Sequence, residues 1–92
     1  MIALEVHIND QKVCTAGLDE AETLSTGVVA VRQKQSPRGE ITVSFHAGGA
    51  VTEPEELLQW HDSTLKVGDK ITVRVIETSK ADAPSKRLRR KT

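Results

Sequence analysis

Three stretches of this chain, "IALEVHI" (residues 2–8), "ITVSFHA" (41–47) and "ITVRVIE" (71–77), place apolar side chains two positions apart with mostly polar ones between them. A period of two over seven residues describes a half-buried strand, because successive side chains of a strand point to opposite faces. A helix would repeat its apolar positions three and four apart. The alternation therefore commits most of the chain to sheet before composition is considered. It predicts Ile2, Leu4, Val6 and Ile8 on one face of the first strand, and Ile41, Val43 and Phe45 inward on the fourth. Ile71, Val73 and Val75 are expected inward on the fifth.

Turn chemistry orders these strands. "NDQK" follows the first, and "VCTAG" resumes an extended pattern, so residues 2–17 are expected to form a hairpin. "LDEAETLST" reads as a loop or one helical turn. "GVVAVRQK" reads as the third strand with Val29 and Val31 inward, and "QSPRGE" as a turn. "GGAV" is expected to break the fourth strand and "HAGGA" (46–50) to act as a hinge, since it matches no phosphate-binding glycine loop. "TEPEELLQWHD" carries the marks of a helix start: Thr52 and Glu55 at capping-box spacing, Pro54 in the first turn, and Glu53, Glu55 and Glu56 at the positive end of the dipole. The order becomes β-β-β-β-α-β. The expected class is α+β, a mainly antiparallel five-stranded sheet with one helix packed on one face, or a partly rolled version of it.

With 92 residues there is room for a single domain, which buries only about 60–65% of the surface of its unfolded chain. The core is made thinner still by having only Phe45 and Trp60 as aromatics. Charge is neutral in sum but not along the chain. Residues 1–79 carry twelve carboxylates against seven basic side chains, whereas residues 80–92 carry six basic side chains against Asp82 alone. The expected organisation is a globular domain over 1–79 and a disordered basic tail over 80–92. Cys14 is the single cysteine, which leaves no internal disulfide; it is expected to be a small buried hydrophobe. No secretory leader or stretch of about 20 apolar residues is present, which points to a cytoplasmic protein without a membrane role.

Several residues carry chemistry that needs weighing. His61, Asp62 and Ser63 are the residue types of a hydrolase triad, but on a helix they would point about 100° apart, so they are expected to close the helix and open a loop. Asp69 after Gly68 suits a turn. The three histidines, His7, His46 and His61, lack metal-ligand spacing, and no cofactor is expected. Glu5, His7, His46 and Arg74 are expected on the polar outer face of one sheet, where a small ligand could bind. In the tail, Lys86, Arg87, Arg89, Arg90 and Lys91 could contact phosphates, or could fold back on the acidic residues Glu53, Glu55 and Glu56.

Residues 13–33 and 57–87 resemble a group of small bacterial proteins to which no activity is attached. The likeness is carried by Thr15-Ala16-Gly17-Leu18-Asp19, the Trp60 segment, the Leu65-x-x-Gly68-Asp69-x-Ile71 turn and the strand ending at Glu77. This chain lacks the longer central insertion of that group. The resemblance implies a bacterial fold family and no catalytic residues.

The expected function is a small non-enzymatic protein-interaction module, of the inhibitor or immunity type and of bacterial or phage origin. A protein partner is expected, and a homodimer would suit the thin core. The alternatives are nucleic-acid or ribonucleoprotein contact through the basic tail, which the acidic body and missing aromatic platforms disfavour, and ligand binding on the polar sheet face.

Overall fold

The structure, a computed structural model, describes residues 1–35, 37–53 and 55–89. They form seven strands: β1 (Ile2–Ile8), β2 (Gln11–Ala16), β3 (Thr23–Arg32), β4 (Ile41–Thr52), β5 (Glu55–Leu65), β6 (Ile71–Glu77) and β7 (Lys86–Arg89). All strand ladders are antiparallel, in two sheets ordered β2-β1-β6 and β3-β4-β5-β7. The expected α+β class is thus corrected to all-β, because no described residue is helical.

The predicted helix is β5. Leu58 and Trp60 are both buried while Leu57 is exposed, which is the alternation of a strand. Pairing begins with Thr52 opposite Glu55, so the Thr–Glu spacing that suggested a capping box instead flanks a hairpin reversal. Thr52 Oγ1 donates to the Glu22 carboxylate. Pro54, expected in the first helical turn, lies outside the described residues. Long-range pairing overrides the local helix signal here. The register slips between Ala47 and Gly48, where Trp60 is the extra residue of a bulge.

The glycines expected to break β4 lie inside it. A side chain at Gly48 would stand 2.7 Å from the Leu58 carbonyl oxygen, and one at Gly49 would overlap the Thr23 carbonyl oxygen. Neighbouring backbones approach so closely that only glycine fits, which is why the strand continues through them.

The β1–β2 hairpin follows its prediction, with Ile8 opposite Gln11 and a two-residue loop. Asn9 (φ 52°) and Asp10 (φ 66°) both have positive φ, as a type I′ turn requires. Asn9 also ties this turn to the β5–β6 loop. Its Nδ2 donates to Asp69 (2.9 Å), and its Oδ1 accepts from Lys70 N (2.9 Å).

Residues 86–89, placed by the sequence reading in a disordered tail, form β7 along the first half of β5. The segment before it joins the sheets. Met1 and Thr78 exchange bonds, and the Asp82 N–H donates to Thr15 O (3.0 Å). Thr15 N–H donates to Asp82 Oδ2 (2.7 Å), and the Trp60 indole donates to Asp82 O (2.7 Å).

The core lies between the sheets and holds Val6, Cys14, Ala16, Phe45, Ala47, Val51, Leu58 and Trp60. It is small, and the molecule is flat, 46 × 38 × 16 Å, with a radius of gyration of 15.0 Å. A compact chain of this length would have ~12 Å. Several side chains predicted to be inward are consequently open to solvent. Val29 and Val31 share the outer face of β3, because Val28 is the residue opposite Phe45. Ile2, Ile41, Val73 and Val75 share their predicted faces but lie where the other sheet does not reach. Ala3, predicted on the polar face, is fully buried close to Gly17, which itself packs against Ala81.

Candidate functional site

The polar residues grouped by the sequence divide between the sheets. Glu5 lies opposite Arg74 in the β1–β6 ladder, with Arg74 Nη1 3.6 Å from Glu5 Oε1 and His7 Nδ1 3.9 Å from it. These three form one cluster on the outer face of the three-stranded sheet. His46 is in the other sheet, opposite Asp62 on β5 and Gly27 on β3. The single continuous polar face is therefore two separate ones.

The triad-like run behaves differently on a strand than on a helix. His61 and Ser63, two apart, share a face, and His61 Nε2 lies 3.1 Å from Ser63 Oγ. Asp62 projects from the opposite face, so the three do not converge. The i, i+2 relationship was available in the sequence but required knowing that the segment is extended. Cys14 is buried, and burial followed by the nearby Asp82 charge pushes its thiol pKa up. That favours the neutral thiol over the reactive thiolate. Among the described residues no group of three or more His, Cys, Asp and Glu side chains is placed to hold a metal ion. No helix among them is long and apolar enough to cross a membrane.

The basic and acidic segments meet each other. Arg87 Nη2 contacts Glu20 Oε1 (2.9 Å) and Glu56 Oε1 (3.1 Å), while its Nε reaches Glu56 Oε2 (3.2 Å). These carboxylates, Glu20 first, raise the guanidinium pKa. Lys86 and Arg89 are exposed, opposite Gln59 and Glu56. Glu53 lies in the turn before β5 and Glu55 at the start of β5, both exposed. Arg90 and Lys91 lie outside the described residues.

The sequence reading missed the outer face of the four-stranded sheet. Leu57 lies opposite Leu88, and the two side chains are 57% and 64% exposed. Beside them is a shallow hollow lined by Ser25, His46, Gly48, Gln59 and Lys86. The bare Gly48 backbone forms its floor, and the adjoining cross-strand row runs Ser25, Gly48, Gln59, Lys86. Once β7 is known, the alternation of Leu57 against Leu58 shows that Leu57 faces solvent. Without β7 the leucine pair cannot be read. No family model, curated protein or solved structure matches this chain.

Proposed function

We propose that this chain is a small non-enzymatic protein-interaction module, of the inhibitor or immunity type, that meets its partner through the outer face of the four-stranded sheet. The observation that supports this reading is the exposed Leu57–Leu88 pair beside the glycine-floored hollow. Two adjoining leucines on a solvated sheet face supply apolar contact area. His46, Gln59 and Lys86 surround them with a polar rim, the usual anatomy of a protein contact.

The test is affinity capture from an extract of the source organism with the wild-type chain and with a Leu57→Asp/Leu88→Asp double variant. Both side chains are exposed, so the variant should keep its far-ultraviolet circular dichroism. A protein retained by the wild type and lost from the variant supports the reading. Capture that is identical for both, or absent from both, removes it.

A further inference from the structure

The two sheets have four outer edges, and three of them are guarded. At β2, Asp82 occupies the edge by pairing with Thr15 through both backbone and carboxylate. β6 carries Arg74 and Glu77 and is flanked by Lys70; β7 is basic at Lys86, Arg87 and Arg89. Charges, bulges and covering segments are the usual means by which edge strands avoid pairing with other chains. Among the described residues β3 has none of them apart from Arg32 at its last position. From Thr23 to Val31 it is nine consecutive uncharged residues without proline, and its ladder to β4 runs through ten pairs with no bulge.

The strand also exposes valines on both faces: Val28 on the inner, Val29 and Val31 on the outer. Its free backbone groups can be assigned. Gln33 N donates to Glu40 O across the hairpin, so the odd-numbered positions bond to β4. Alternation along an antiparallel ladder then leaves the N–H and C=O of Leu24, Thr26, Val28, Ala30 and Arg32 pointing away from the sheet.

We infer that β3 pairs with β3 of a second copy of this chain, antiparallel and about a two-fold axis at Val29. In that register Val28 faces the second copy's Ala30 and Thr26 faces its Arg32, each as a hydrogen-bonded pair. Gly27 faces Val31, Ser25 faces Gln33, and Val29 faces itself as a non-bonded pair. No like charges oppose one another, and β-branched side chains meet across the axis. A second copy suits this edge better than a foreign strand, because the nine residues Thr23 to Val31 offer no charge by which to select one. The two-fold register sets the single charge, Arg32, against Thr26. Two-fold pairing also closes after one addition and leaves no open filament. The product is one eight-stranded sheet, within the ordinary range. The inference uses the edge of the sheet and does not depend on the proposed contact face.

Sedimentation velocity from low to high micromolar protein tests it. The expected result is a species of twice the 10.1 kDa chain mass that dissociates on dilution. Val29→Lys brings two ammonium groups together on the axis and should weaken the dimer at least about tenfold while leaving the circular dichroism unchanged. Val29→Cys should form a disulfide-linked dimer on mild oxidation, since the two cysteines would face each other directly; Val31→Cys, which faces Gly27, should not. A monomer at every concentration overturns the inference. So does a dimer indifferent to Val29→Lys, equal cross-linking at positions 29 and 31, or a monomer that associates only with a different protein.

Discussion

The Trp60 indole donates a 2.7 Å hydrogen bond to the backbone carbonyl of Asp82, and so fastens the four-stranded sheet to the segment that borders the three-stranded one. Asp82 in turn holds Thr15 on β2 by two bonds, one from its own N–H and one to its carboxylate. A single residue between β6 and β7 therefore clasps both sheets.

Removing either half of the clasp should destabilise the fold. Trp60→Phe leaves the Asp82 carbonyl without its donor, and Asp82→Ala leaves the Thr15 N–H without its acceptor; each is expected to cost about 1–2 kcal/mol. In a domain of this size that lowers Tm by roughly 4–15 °C. The double variant should lose less than the sum of the singles, because the two bonds hold the same residue in place and losing either loosens the other. Thermal unfolding followed by circular dichroism measures all three.

Glycines in the four-stranded sheet should differ sharply in tolerance. Gly49→Ala drives a methyl group into the Thr23 carbonyl oxygen, and backbone cannot swing aside, so a loss of about 3 kcal/mol or more is expected. Gly27→Ala meets only the imidazole end of His46, at 2.7 Å from Cε1. That side chain is exposed and can rotate, so the change should stay under about 1 kcal/mol. Urea titration of the two variants distinguishes them.

Stability should fall at both ends of the pH scale, for different reasons. The Asn9 amide, followed by the Lys66 backbone N–H, holds Asp69 below the usual carboxylate range; a hydrogen bond from Lys70, reinforced by its charge, does the same for Asp10. A carboxylate pKa lower in the folded state stabilises above the unfolded value near ~4 and is lost as pH falls through the folded value. Asp69→Asn and Asp10→Asn should each flatten the acid decline in the urea midpoint. Cys14 has the opposite sign. Its raised thiol pKa favours the folded state below the unfolded value of about 8.5, and the benefit disappears as pH rises through the folded value. Cys14→Val should remove that alkaline slope, and thiol labelling of the native protein should be slow.

Much of the strand pattern could be read from local sequence, because alternation and turn residues act locally. The Asn9–Asp10 reversal and the strands around Val6, Phe45 and Val73 are of this kind. β5 escaped because Thr52, Glu55 and Glu56 imitate a helix start, and only its ladder with β4 decides otherwise. β7 escaped because four residues with one leucine cannot stand as a strand alone; they need β5 as a template, with Arg87 held by Glu20 and Glu56. The contact face around Leu57 and Leu88 depends on both of these elements and was hidden for the same reason. Facing errors at Val29 and Val31 came from the register with β4, which no single strand records.

The place of Asp82 in the chain also bears on how the protein is born. β1 sits at the centre of its sheet with Ile2 opposite Glu77, and the clasp that locks that sheet to its neighbour is made later still in translation. A ribosome delivers the hairpins and the core residues Val6 to Trp60 first, and the Asp82 clasp can close over them only once residue 82 has left the exit tunnel. Locking of the two sheets is therefore a late step, and chains that end before residue 82 should be cut by proteases faster than the full chain.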